Sequence, residues 1–162
     1  MTPAAKTGVT TYATPSDREI VVTRVVDAPR RIVFDAVSNP KHVPQWLTGP
    51  EGWTMPVCEI DLRPGGAWRY VYRKDDGSEM TLQGSYREVA PPVRVVSTES
   101  WGAEWPETVN TMVLTESEGQ TTITITVRYP TKEARDAALK TGMKEGMDQG
   151  FAQLDDLLDT LV

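Results

Sequence analysis

One cysteine and one histidine are all the thiol and imidazole chemistry that 162 residues offer. Cys58 has no partner for an internal bridge, and within an expected strand its thiol reads as a small buried hydrophobe rather than a nucleophile. His42, on a short helix beside Lys41 and Val43, reads as a surface or structural group rather than a general base. With no histidine pair, no second cysteine and no HExxH or CxxC spacing, these side chains build neither a zinc site nor a Cys-His dyad, so no metal and no cofactor is expected. The serine-hydrolase pattern G-x-S-x-G is missing, and Gly65-Gly66 precedes a strand without the lysine of a phosphate loop. Positive charge is scarce as well, since 17 Lys and Arg stand against 23 Asp and Glu, a net charge of −6. Nucleic-acid affinity comes largely from cations neutralising phosphates, so nucleic acid and anionic membrane surfaces are disfavoured as partners. No stretch approaches the roughly 18 apolar residues that cross a bilayer, and no segment repeats at a fixed period. These absences leave a soluble module without membrane insertion, expected in the cytoplasm.

A chain of this length suits one domain, which buries roughly 70% of the surface its unfolded form exposes. Residues 1–17 show neither a charged start followed by an apolar run nor a small-residue cleavage site, and read as a flexible tail ahead of a single domain over 18–162. Glu19 to Val26 is rich in β-branched residues and reads as a strand, passing at Ala28-Pro29 into a helix whose Val33, Phe34 and Val37 share one side. Asn39-Pro40 suggests the cap of a second, shorter helix that Pro44 ends. Gly49 to Pro56 reads as a loop, and Val57 to Leu62 as the next strand. The strand Ala67 to Lys74 sets Trp68, Tyr70 and Tyr72 on one face and Arg69, Val71 and Arg73 on the other. Asp75 to Ser78 turns the chain into Glu79 to Val89, where Met80, Leu82, Gly84 and Tyr86 alternate with polar residues. Val93 to Trp101, Thr108 to Glu116 and a strand through Ile123, Ile125, Val127 and Tyr129 complete seven, which short turns join into an antiparallel meander.

From Thr131 the period becomes helical. Leu139, Met143, Met147, Phe151, Leu154, Leu158 and Leu161 form one apolar stripe, predicting a single helix about 45 Å long. Gly142, Gly146 and Gly150 fall inside it on nearly one line, giving up about 1 kcal/mol each relative to alanine. Either another backbone packs closely on that line or space is left there for a ligand. A sheet with one apolar face needs a cover, and this helix is the one available, so the fold class is α+β: a curved antiparallel sheet gripping a C-terminal helix, with two short helices after the first strand.

The segments DAPRRIVFDAVSNPKHVPQWLTGPEGWT, EIDLRPGGAWRY, DGSEMTLQGSYREVAPPVRVV and GMKEGMDQGFAQLDDLL, in this order, closely resemble bacterial proteins related to the activator of Hsp90 ATPase, within the START/Bet v 1-like superfamily that also holds polyketide cyclases. The likeness runs from about Asp17 to the C-terminus. It implies a helix-grip domain whose sheet and long helix enclose an apolar cavity, which in superfamily relatives receives lipids, sterols, polyketides or other hydrophobic molecules.

Trp68, Tyr70 and Tyr72, with Met80 and Leu82 of the neighbouring strand, would line such a cavity if Arg69 and Arg73 face water; the same residues would also serve as an ordinary aromatic core. Met143, Met147, Gly146 and Gly150 would border it from the helix, the methionines repacking around guests of different shape. Trp46 and Trp53 flank the segment that the resemblance sets near the cavity mouth, where they form a rim or anchor an irregular loop. Trp101 and Trp105 invite the same two readings. A catalytic role needs one polar group whose pKa an apolar pocket shifts, and the candidates are Asp61, Arg69, Tyr86, Glu99 and Asn110, several of which strand alternation points outward. The function expected is binding of a small hydrophobic or aromatic molecule. The alternatives are a polyketide cyclase-like enzyme and a co-chaperone of the Hsp90-activator type, although the eukaryotic activator carries an additional N-terminal domain. A homodimer is compatible with all three. Asp155, Asp156 and Asp159 read as the solvated face of the last helix.

Overall fold

The computed structural model describes residues 7–48, 51–102 and 105–162. Its eight strands are β1 (Thr10–Ala13), β2 (Glu19–Val26), β3 (Trp53–Ile60), β4 (Ala67–Lys74), β5 (Glu79–Ala90), β6 (Arg94–Glu99), β7 (Thr108–Ser117) and β8 (Gln120–Arg128). Helices α1 (Arg30–Ser38) and α2 (Val43–Trp46) follow β2, and α3 (Lys132–Leu139) and α4 (Met143–Leu161) follow β8. All strand neighbours are antiparallel, in the order β1-β2-β8-β7-β6-β5-β4-β3. Hairpins account for every neighbour pair from β3 to β8. The one long-range closure is β2 on β8, which sets Ile20 opposite Val127 and Val22 opposite Ile125.

Alternation decides which face is covered. Ile20, Val22, Leu114, Ile123, Trp68, Tyr72, Leu82 and Tyr86 of the sheet are buried with Val33, Val43, Phe151, Leu154 and Leu158 of the helices in one core. On the other face of β4, Arg69 pairs with Glu59 at 2.8 Å and Arg73 with Glu79 at 2.7 Å, both exposed. Helix α4 lies against α1 and α2.

The structure departs from the sequence reading at four places. Residues 10–13 are not a tail: they pair with Val21 to Arg24 as the edge strand β1, making eight strands instead of seven. The Tyr12 hydroxyl donates to Asp148 Oδ1 at 2.8 Å, so the strand is strapped to α4 as well. The second departure is β3, which begins at Trp53 rather than after Pro56. Its ladder shifts register between Thr54 and Val57, and an edge strand tolerates a proline at such an irregularity because no neighbour needs the missing N–H. Third, Pro44 does not end α2 but sits in its first turn, where no N–H is required. Gly49 and Pro50, part of the expected loop, lie outside the described residues.

The fourth departure is the terminal helix, which is two helices. Thr131 caps α3, its side chain accepting from the Ala134 N–H at 3.1 Å. The chain leaves helical geometry at Lys140 to Gly142, where the Thr141 hydroxyl donates to the Ala138 carbonyl at 2.7 Å, a local bond that competes with helix continuation. Gly142 is therefore the N-cap of α4 and not a helix-interior residue. The 19 residues of α4 span about 28 Å.

Candidate functional site

Trp68, Tyr70 and Tyr72 of β4 share the inner face of the sheet with Leu82 and Tyr86 of β5 and with Cys58 and Ile60 of β3, whose register sets Cys58 opposite Tyr70 and Ile60 opposite Trp68. The Trp68 and Tyr70 rings lie 4.7 Å apart and tilted. Trp68 is buried and donates from Nε1 to the Thr98 carbonyl at 3.1 Å, which makes it a tie between β4 and β6. Trp46 is likewise an anchor: its Nε1 donates to the Ala36 carbonyl at 2.9 Å, holding α2 to α1. Trp53 is half-buried against the core. Trp101 and Trp105 stand at the surface, and Ala103-Glu104 between them lie outside the described residues.

The inner face is not uniformly closed. Tyr70, Met80, Met112, Ile125 and Tyr129 each keep part of their surface accessible while packing on the core, as do Met143 and Met147 of α4. Of the five tyrosines, only Tyr12 has its hydroxyl hydrogen-bonded among the described residues. Burial pushes the Tyr70, Tyr72 and Tyr86 phenols well above their ordinary range and the Tyr129 phenol to about 12, so all four are neutral hydroxyls without a protein partner. Burial also raises the Cys58 thiol to about 11, far from a nucleophilic thiolate at neutral pH.

Glu99, at the end of β6, enters this aromatic surface. Burial raises its pKa, opposed by hydrogen bonds from Trp101 and Asn110. Asn110 Nδ2 donates to Glu99 Oε2 at 2.8 Å, and Asn110 Oδ1 accepts from the Thr108 hydroxyl at 2.9 Å. Glu99 is deeply surrounded yet keeps accessible surface. Of the catalytic candidates, Glu99, Asn110 and Tyr86 face inward. Asp61 and Arg69 do not: Asp61 pairs with Arg63 at 2.9 Å in the exposed turn, and Arg69 lies on the outer face. Thr108 and Tyr129 were not among the expected site residues, because their place beside Glu99 depends on the β6–β7 register, which pairs Glu99 with Thr108. Among the described residues no group of three or more His, Cys, Asp or Glu could hold a metal ion. No described helix is long and apolar enough to cross a membrane.

The glycine line is open rather than packed. A Cβ added at Gly142 or Gly146 meets nothing within 4 Å, and one at Gly150 meets only Leu47 Cδ1 at 3.9 Å. Among the described residues no second backbone sits on the strip, whose Gly142 and Gly146 are exposed while Gly150 is buried, so close packing does not explain it. Gly146→Ala is accordingly expected to raise stability by about 0.5–1 kcal/mol, read from the urea midpoint, since it restores helix propensity without a clash.

A protein-family model for activator of Hsp90 ATPase homolog 1-like proteins matches residues 27–159. The chain belongs to this AHSA1-like family. A solved structure from Rhodobacter sphaeroides is 28% identical, with a TM-score of 0.89 over 95% of this chain and 100% of that one. A Mycobacterium smegmatis protein, 24% identical with a TM-score of 0.81, covers 93% of this chain and 97% of its own. An AHSA1-like protein from Aeromonas hydrophila, 17% identical, gives a TM-score of 0.70 over 86% and 93%. The last two likenesses concern the fold alone. No curated protein matches the sequence. The helix-grip architecture of this AHSA1-like chain is thus shared with solved relatives that cover nearly all of it.

Proposed function

We propose that this AHSA1-like protein binds a small hydrophobic or aromatic molecule between the inner face of its sheet and α4. The observation that carries the reading is the inner wall itself: Tyr70, Met80, Met112, Ile125 and Tyr129 face the core side yet retain accessible surface, with phenol hydroxyls that have no partner among the described residues. A solid core would enclose such side chains and pair their hydroxyls. Methionines 143 and 147, half-buried opposite this wall, can adapt to the guest.

The test is native mass spectrometry of the protein as purified, followed by titration with a polarity-sensitive naphthalene dye. Saturable one-to-one uptake is expected, weakened about tenfold or more by Ile125→Trp, which fills the space, with the thermal transition retained. Absence of dye uptake by the folded protein would sink the reading.

One observation favours a cyclase-type enzyme as a second reading: burial raises the pKa of the Glu99 carboxyl above its ordinary value, the direction that a general acid needs. An enzyme converts a bound polyketide-like compound with time and loses that conversion in Glu99→Gln, whereas a binder returns it unchanged.

A further inference from the structure

The inner wall carries one acid to which no described residue brings a counter-ion. Among the described residues each Glu99 oxygen accepts a single hydrogen bond, Oε1 from Trp101 Nε1 and Oε2 from Asn110 Nδ2. The Thr108 hydroxyl occupies Asn110 Oδ1 and so keeps the amide's donor side toward the acid. Both donors are neutral. Among the described residues, every ion pair joins other acids, and none brings a Lys, Arg or His to Glu99. Burial disfavours the ionised carboxylate and the donors on its two oxygens favour it, and a charged Glu99 has no counter-ion among the described residues. A carboxylate oxygen has two lone pairs, so each still has room for one further donor. The charge of Glu99 is felt at the phenols of Tyr70, Tyr72 and Tyr129, which belong to the same inner wall, and aromatic rings near an ammonium attract it.

We propose that Glu99 is the counter-ion for the ligand, so that the guest is an apolar ring-bearing amine whose protonated nitrogen meets the Glu99 carboxylate beside Tyr70, Tyr72 and Tyr129. A neutral hydroxyl on the guest supplies a hydrogen bond but leaves the charge uncompensated; an ammonium supplies both. The inference rests on the cavity reading above and adds to it the chemistry of the occupant.

Two probes of matched shape separate the two claims: 1-naphthylmethylamine and 1-naphthylmethanol, each displacing the naphthalene dye from the wild-type protein and from Glu99→Gln. The amine is expected to bind about tenfold or more tighter than the alcohol in the wild type. In Glu99→Gln that preference falls to about twofold or less, through loss of amine affinity, because glutamine keeps the shape and hydrogen bonds to Asn110 once that amide turns over but carries no charge. Glu99→Asp is the second variant: it retains the charge but withdraws it by a methylene, and the amine preference drops several-fold. Equal binding of the two probes in the wild type, displacement by neither, or a preference that survives Glu99→Gln overturns the amine assignment and leaves the cavity standing. Failure of the dye itself to bind overturns both.

Discussion

Replacing Gly84 by alanine is expected to lower the melting temperature by roughly 10 °C, a loss of about 3 kcal/mol or more. Gly84 lies on β5 where the strand passes close to β6, and a Cβ there would stand 1.8 Å from the Thr98 carbonyl oxygen and 2.8 Å from Trp68 Nε1. Neither atom can step aside at little cost. The carbonyl is backbone, and it also accepts the Trp68 indole at 3.1 Å, while the Thr98 hydroxyl accepts the Ser85 N–H at 3.0 Å. Alanine therefore pushes β6 off β5 and breaks the indole bond in one step, leaving a buried N–H without its acceptor. Differential scanning calorimetry checks the size, and Trp68→Phe supplies the control: it removes the indole donor without pushing the backbone, so its loss should be the smaller. Equal losses would mean that the close approach of the two chains at Gly84 contributes nothing.

The second large effect is expected at Arg24. Its side chain is 6% exposed on the inner face of β2, and its guanidinium pairs with Asp155 of α4, donates to the Thr10 hydroxyl at 2.8 Å and lies 5.6 Å over the Phe151 ring. Its Nε is buried with no partner among the described residues, so Asp155 is the one acid that balances the buried charge. Asp155→Ala leaves that charge in place and should cost about 2–4 kcal/mol; about a third of the Asp155 side chain is exposed, which holds the figure below that of a fully enclosed pair. Arg24→Met combined with Asp155→Ala should recover most of the loss, because an apolar side chain of similar length next to Phe151 requires no counter-ion. Urea unfolding of the two single variants and the double variant measures this directly. A double variant as unstable as Asp155→Ala alone would show that the pair's effect is packing and not charge.

What the sequence made legible follows a simple division. Period-two patterning on β4 and β5 was strong enough to place Trp68, Tyr72 and Leu82 inward and Arg69 and Arg73 outward, and the helical stripe placed Phe151, Leu154 and Leu158 in the core. Family membership was equally readable, because its motifs are spread along the chain. What stayed hidden depends on contacts remote in sequence. Thr10–Ala13 carries no apolar alternation of its own and becomes a strand only because β2 offers an edge and α4 a carboxylate for Tyr12. The break before Met143 was masked by an apolar stripe that continues across it, while the Thr141 hydroxyl and Gly142 ended the hydrogen-bond ladder. Arg24 sat within a run of β-branched residues with nothing local to announce Asp155, which lies 131 residues later. Glu99 and Asn110 were recognised as candidates by residue type, yet only the register of β6 on β7 separated them from Asp61 and Arg69.

The pairing of β2 with β8 has a consequence for synthesis. Strands β3 to β8 are each joined to the next in sequence, so they can zip in the order in which the ribosome delivers them. The inner edge of β2 waits until Arg128 has emerged, and α4, which covers the finished sheet, comes last of all. Through most of translation the chain thus exposes the apolar side chains of a sheet that has neither its closing seam nor its lid, a topology in which ordering is slow because distant segments must meet first.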